Sequence, residues 1–280
     1  MTTQAQSDSY AVMGNPIAHS KSPLIHATFA RQTAQDLIYR AMLVDTAPGE
    51  FTHAVKHFRD NGGRGLNVTV PFKQHAWQLA DIRTPRAERA GAVNTLWFDT
   101  EGKIHGDTTD GIGLVRDILQ NQGGKIHKQR VLILGAGGAV RGVLEPLLQQ
   151  SPSCCVIANR TMTKAQELAA LFANENSLNA CAYAELEGQQ FDLVINGTSA
   201  SLQGEVPSLP DNLLATNAWC YDMMYAQQIT PFVSWAWQHG AVQASDGLGM
   251  LVEQAAESFF IWRGIRPQTM SVIQLLREQL

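Results

Sequence analysis

The chain has 280 residues, enough for two domains with sizeable cores. Lysine plus arginine number 21 against 25 aspartate plus glutamate, a net charge of −4, which leaves no basic excess for gripping a phosphate backbone and excludes nucleic acid as the main partner. Charged residues make up only 16%, the 23 glutamines outnumber all the cations, and the glycine and proline content is that of a globular protein rather than a collagen or a disordered chain.

The opening MTTQAQSDSY lacks the basic and apolar regions of a signal peptide, and no apolar run approaches the ~18 residues that span a bilayer. The expectation is a cytoplasmic protein without a membrane partner. In chain order, residues 10–13 read as a strand and 23–31 as a helix, with Ser22 as N-cap and Pro23 at the first helical position. Residues 51–60 read as a helix, 66–70 as a strand and 72–80 as a helix. The segments 93–98 and 103–105 flank Asp99-Thr100-Glu101-Gly102, a hairpin turn. A helix is expected over 111–121. The apolar run 131–134 then leads through Gly135-Ala136-Gly137-Gly138-Ala139 into a helix reaching Leu148, disturbed late by Pro146. Cys154–Ala158 reads as a buried strand, 164–172 as a helix, 191–195 and 219–223 as strands, and 248–262 and 268–280 as helices. This alternation predicts an α/β fold with right-handed crossovers and a parallel sheet covered on both faces. Cys154, Cys155, Cys181 and Cys220 show no C-x-x-C spacing, and the eight histidines show no metal-ligand spacing; reduced core cysteines and no metal site are expected.

A glycine-rich turn between strand and helix lets backbone N–H groups approach a pyrophosphate at the helix N-terminus. Gly135 and Gly137 match the first two glycines of G-x-G-x-x-G, while Val140 stands at the third; the alternative is an ordinary strand–helix turn. The end of the next strand discriminates between cofactors. An NAD-binding unit places a carboxylate there for the ribose 2′-hydroxyl. This chain has Asn159-Arg160-Thr161-Met162-Thr163-Lys164, with two cations and no acid, which suits a 2′-phosphate and points to NADP. A solvated helix start, with Thr163 as its cap, is the plainer alternative.

Six ordered segments carry a wider resemblance: GNPIAHSKSP (14–23), GLNVTVPFK (65–73), AGAVNT (90–95), GDTTDGIG (106–113), YDMMY (221–225) and DGLGMLVEQAAESFFIWRG (246–264). Together they resemble the shikimate/quinate dehydrogenase family almost from end to end. The resemblance implies reversible hydride transfer between NADPH and the ring ketone of 3-dehydroshikimate, with shikimate as product and aromatic amino-acid biosynthesis as setting. It implies Lys73 and Asp110 as the catalytic pair. Ser20, Ser22 and Tyr225 would hold the substrate carboxylate, and Thr69, Asn94, Asp110 and Gln254 the ring hydroxyls. Asn67 would be a structural hydrogen-bonder beside Lys73. Gly135, Ala136, Gly137, Gly138, Ala139, Asn159, Arg160, Thr161 and Lys164 would bind NADP, and Asn196-Gly197-Thr198-Ser199 follows the 191–195 strand at the same ligand-binding edge. Met223 and Gly247 would meet the nicotinamide end, although a methionine in a strand more often belongs to the core. The chain departs from the family in having Thr108 before Thr109-Asp110-Gly111, Gly197, read as added flexibility, and Val140, read as a lost phosphate hydroxyl.

The implied architecture is a substrate domain of 1–109 completed by helices of 247–280, a Rossmann-like NADP domain of 110–246, and an interdomain cleft, in a monomer or homodimer. The rivals are a quinate/shikimate dehydrogenase using NAD, a non-catalytic NADP-binding sensor that kept the fold, and a two-domain folate dehydrogenase, which GNPIAHSKSP and the glutamine motif fit poorly.

Overall fold

The fully buried run Tyr10–Gly14 marks a strand covered on both faces, and it lies in β1 (Asp8–Gly14) of a computed structural model that describes residues 7–172 and 178–280, less the side chains at 202 and 203. β1 pairs in parallel with β2 (Leu37–Leu43) on one side and β3 (Gly63–Val68) on the other. β5 (Thr95–Phe98) joins β3 antiparallel and forms a hairpin with β6 (Ile104–Asp107). Asp99 closes that hairpin, its Oδ1 accepting from the N–H groups of Glu101 at 2.9 Å and Lys103 at 3.0 Å. With the two-residue β4 (Ile82–Arg83), the sheet order is β2-β1-β3-β5-β6-β4. Helices α1 (Ser22–Gln32), α2 (Glu50–Asp60), α3 (Lys73–Leu79) and α4 (Pro85–Ala90) connect the strands. The core beneath α2 and α3 is built from Met13, Phe51, Val55, Leu66, Val68, Phe72 and Leu96. These elements, with Gln254–Val272, form one unit ending at Thr109. β2, β4 and α4 were not expected from the sequence; β2 is an edge strand with mostly exposed or half-buried residues, so it shows no buried run.

The second unit comprises Asp110–Glu253 and Ile273–Leu280. Its sheet is wholly parallel: β7 (Arg130–Leu134), β8 (Cys154–Ala158), β9 (Leu178–Cys181), β10 (Phe191–Asn196), β11 (Leu214–Asp222) and β12 (Gln243–Ser245), in the order β12-β11-β10-β7-β8-β9. Read from β9, this is the doubly wound 3-2-1-4-5-6 order, with its reversal between β7 and β10. The helices are α5 (Asp110–Arg116), α6 (Gly138–Leu148), α7 (Met162–Ala170), α8 (Pro231–Gln238), α9 (Leu248–Arg263) and α10 (Met270–Glu278). The helix α9 begins in this unit and ends in the first. The C-terminal division differs from the expected one, since 247–253 and 273–280 group with the second unit.

Two local expectations are corrected. The helix α5 ends in one π-turn, Asp117–Asn121, instead of running on as a regular α-helix. Pro146 does not disturb α6, which continues through it to Leu148. Proline frees the carbonyl four residues back. That carbonyl, of Gly142, lies against Gly111, where a Cβ would come within 2.7 Å of it and 2.6 Å of Pro146 Cγ. Glycine at 111 therefore lets α5 sit directly on α6 at that carbonyl.

Candidate active site

In the first unit, hydrogen bonds gather the strand ends. Thr69 N–H donates to Met13 carbonyl at 2.9 Å, and Asn15 N–H donates to Val70 carbonyl at 3.0 Å. Phe72 is buried and stacks on Phe51 with ring centroids 4.9 Å apart, which fixes the entry to α3 and makes half-buried Lys73 its first residue. The backbone carbonyl of Lys73 accepts from Val93 N–H at 2.9 Å, so Lys73 is tied to the residue preceding Asn94.

Asn94 is 3% exposed and is the centre of a neutral network. Its Oδ1 accepts from Thr109 N–H at 2.9 Å and Thr95 Oγ1 at 2.8 Å; its Nδ2 donates to Thr109 Oγ1 at 2.9 Å and Gln254 Oε1 at 3.2 Å. Ser258, one turn after Gln254 on α9, reaches Thr95 Oγ1 at 2.8 Å and accepts from Asn67 Nδ2 at 3.0 Å. Asn67 Oδ1 in turn accepts from Tyr39 Oη at 2.7 Å. Buried amides and hydroxyls satisfied in this way hold one another rigidly. Asn67 thus has the structural contacts expected of it, while Tyr39, Thr109 and Ser258 were missed. The i, i+4 spacing of Gln254 and Ser258 on a helix was the available signal for Ser258.

The α1 terminus differs from expectation. Lys21 occupies the N-cap position without a side-chain cap, and buried Ser22 is already helical. Ser20 Oγ instead accepts from Ser22 N–H at 3.3 Å. One turn further, His26 is fully buried and stacks on Tyr39 at 4.1 Å with the rings 4° from parallel. Burial, outweighing the opposing effect of Asn67, pushes its imidazole down to about 3.

Asp110 opens the second unit as the first residue of α5 and is 5% exposed; it follows directly on Thr109, whose N–H Asn94 holds. At the sheet reversal, Gly135 has φ +101°, a left-handed conformation that favours glycine. A Cβ there would lie 3.2 Å from Thr198 Cγ2. Around Gly137 and Gly138, at the start of α6, a Cβ would meet nothing within 4 Å, so the backbone at this helix N-terminus is open. Ala136 and Ala139 flank them, half-buried against the core. Asn159 follows β8 and its Nδ2 donates to Thr161 carbonyl at 2.9 Å, shaping a corner that carries exposed Arg160, Thr161 and Lys164. Thr161, not Thr163, is the N-cap residue of α7. An open helix N-terminus, two exposed cations and no carboxylate between 159 and 164 fit a dinucleotide with a 2′-phosphate.

Gly197 and Val140 have packing reasons the sequence did not reveal. A Cβ on Gly197 would lie 2.4 Å from Val140 Cγ2 and 3.2 Å from Met223 Sδ, so the position demands the smallest residue rather than a flexible one. Val140 itself is fully buried in the core. Met223 lies one residue past β11 and is 6% exposed. A Cβ on Gly247 would come within 2.3 Å of Met223 carbonyl, and Gly247 N–H donates to Met224 carbonyl at 3.0 Å. Tyr225 is half-buried, and burial raises its phenol above the usual tyrosine value, with Asp246 adding to the effect.

Comparison with known proteins places this geometry. Three family profiles match the chain: shikimate dehydrogenase substrate binding domain over residues 12–96, shikimate / quinate 5-dehydrogenase over 117–203, and shikimate 5'-dehydrogenase C-terminal domain over 247–277. A shikimate dehydrogenase (NADP(+)) from Alkalilimnicola ehrlichii is 58% identical, covering 97% of this chain and 99% of that one. Among solved structures, an Ael1 enzyme from Pseudomonas putida is similar at 48% identity and TM-score 0.89, over 96% of this chain and 98% of that one. A shikimate 5-dehydrogenase from Thermus thermophilus, solved in complex with NADP(H) and shikimate, is similar at 31% identity and TM-score 0.86, over 98% and 100% of the two chains.

Proposed function

The chain belongs to the shikimate dehydrogenase family, and from that premise we propose that it reduces 3-dehydroshikimate reversibly to shikimate with NADPH. The observation that carries the reading is the neutral buried network centred on Asn94 beside the first turn of α3, where Lys73 sits. A polyol needs donors and acceptors at fixed positions, and a site of amides and hydroxyls supplies both.

Bound NADPH supplies the hydride. Gly135 to Ala139 would receive its pyrophosphate at the α6 N-terminus, Asn159, Arg160, Thr161 and Lys164 would take the 2′-phosphate end, and Met223 and Gly247 would wall the nicotinamide end. Ser20 and Ser22 hold the substrate carboxylate where the α1 N-terminus favours an anion. Thr69, Asn94 and Gln254 bind the ring hydroxyls. Lys73 would donate the proton that the reacting oxygen needs when the ketone becomes the product hydroxyl. Asp110, the first residue of α5, accepts a hydrogen bond from a substrate hydroxyl. Four free cysteines, three of them buried, suit a reducing cytosol.

The test follows absorbance at the NADPH band with shikimate and NADP+, then with quinate and with NAD+. Lys73→Ala should lower kcat by about 10²–10⁴-fold while NADPH still binds. A near-wild-type kcat in that variant overturns the assigned proton transfer.

A further inference from the structure

Asp222, the last residue of β11, has no role in the substrate or cofactor assignments above, yet its carboxylate joins the segments that carry several of them. It is fully buried. Its Oδ1 accepts from Asn196 Nδ2 at 3.0 Å and from Met224 N–H at 3.1 Å. Its Oδ2 accepts from Ser201 Oγ and Thr230 Oγ1, each at 2.7 Å. These four donors lie on three segments: the end of β10 with the 3₁₀ turn that follows it, the stretch following β11, and the start of α8, which Thr230 caps by accepting from Val233 N–H at 3.3 Å. Asn196 passes the constraint on, its Oδ1 accepting from Thr198 N–H at 3.1 Å and Thr198 Oγ1 at 2.7 Å. Its carbonyl also accepts from Met223 N–H at 2.9 Å.

Thr198, Met223 and Gly247 converge through these bonds and the close approaches at Gly135, Gly197 and Gly247. No cation lies within ion-pair distance of the carboxylate among the described residues, and burial raises it above the usual aspartate value. A buried acid held only by neutral donors is a costly way to make a packed core, which an apolar residue would make more cheaply. Its position, between Tyr221 in the core and Met223 at the carboxyl edge of the sheet, is that of a hub for the loops.

Resting on the functional reading above, we infer that Asp222 is a positioning residue: its four-way hydrogen bonding sets the relative placement of Thr198, Met223 and Gly247 and so the geometry of the nicotinamide end. The charge of Asp222 is not what the role requires. An asparagine can place its carbonyl oxygen toward Asn196 and Met224 and its NH₂ toward Ser201 and Thr230, whose hydroxyls turn to accept.

The test compares Asp222→Ala and Asp222→Asn in the full chain, using NADPH fluorescence for Kd and initial rates for kcat and KM. Asp222→Ala should weaken NADPH binding about tenfold and lower kcat/KM about 100-fold, since small misplacements at a reacting centre have large rate effects. Asp222→Asn should stay within about threefold of wild type, because the hydrogen-bond pattern survives the substitution. The preference for NADPH over NADH should be unchanged in both variants, because the β8–α7 corner makes no hydrogen bond to Asp222; a general loosening of the fold would erode it. Wild-type Kd and KM in folded Asp222→Ala would overturn the inference, as would equal damage in folded Asp222→Asn. If Asp222→Ala does not fold, Ser201→Ala removes one donor, and it should raise the NADPH Kd several-fold; no change would again overturn the role. The Kd measurements stand even if wild-type protein fails to oxidise shikimate, a failure that would instead sink the functional reading.

Discussion

In the first unit the buried carboxylate of Asp107 faces the two-pronged guanidinium of Arg86, at 2.7 Å to each oxygen, whereas in the second the buried carboxylates of Asp117 and Asp222 face hydroxyls, amides and a backbone N–H. Asp117 accepts from Tyr221 Oη at 2.5 Å and Asn121 Nδ2 at 2.9 Å; the same amide donates to Glu253 Oε1 at 3.1 Å. Burial raises both Asp117 and Asp222, Glu253 adding to the effect at Asp117. The contrast teaches where a buried acid needs a partner. Asp107 sits three residues before Asp110 and also accepts from Thr84 Oγ1 and Thr108 N–H, so the ion pair pins the strand end leading to the expected catalytic acid. Asp117 and Asp222 can relieve their burial by taking a proton; Asp222 ties loop segments together, whereas Asp117 joins its own turn to Tyr221 of β11.

The largest effect should come from the ion pair. Arg86→Met leaves a buried carboxylate with its hydroxyl and N–H donors alone, and should cost about 3–5 kcal/mol in urea unfolding. A loss below about 1 kcal/mol would erase the distinction between paired and unpaired acids.

Acid should separate the units next. His26 has a folded value of about 3 against 6.5 when unfolded, so the unfolded chain takes up a proton that the native imidazole refuses. Stability is lost as pH falls below 6.5, by about 3 kcal/mol at pH 4. The raised carboxyls of Asp117 and Asp222 act in the opposite direction. Their contribution is fully present below the unfolded value of 3.8 and is lost as pH rises through the folded values. Amide exchange, corrected for its own pH dependence, should therefore show protection falling in β1 and α1 before β7 and β10 between pH 6.5 and 4. His26→Leu should flatten that difference, and an unchanged slope would show that another group governs the first unit.

The smallest effect should follow Tyr221→Phe, which removes one neutral donor from Asp117 and leaves Asn121 in place. About 1–2 kcal/mol is expected at pH 7, shrinking as Asp117 takes up its proton in acid. A loss equal to that of Arg86→Met would mean that the tyrosine does for Asp117 what the guanidinium does for Asp107.

Much of this arrangement was legible in the amino-acid order, for identifiable reasons. The apolar run before Gly135 and the missing acid after Ala158 are local patterns, and the alternation of strands with helices already implied the parallel sheet. Lys73 and Asn94 stood out because polar residues interrupt short apolar segments. The edge strands β2 and β12 have no buried run to betray them. Ser22 followed the composition rule for a helix cap, but the chain turns one residue earlier than that rule supposes. Gly197 and Val140 read as departures from a pattern when each is the other's neighbour across the strand ends, a contact no local spacing encodes. Asp222 was invisible as a hub because its four donors lie on segments up to 26 residues away in sequence.

The return of Gln254–Val272 to the first unit has a consequence for synthesis. Domains emerging from a ribosome ordinarily fold in the order they are made. Here residues 7–109 leave the ribosome lacking Ser258, whose hydroxyl bonds Asn67 and Thr95, and Arg263, which pairs with Asp8. The long insert from Asp110 to Glu253 is finished while the N-terminal sheet still waits for these partners, a delay on the order of ten seconds. During that interval all six strands of the first sheet are already made, but Asn67 and Thr95 lack the Ser258 hydroxyl and Asp8 lacks Arg263, so the last ties of this unit form only after the whole insert has been synthesised.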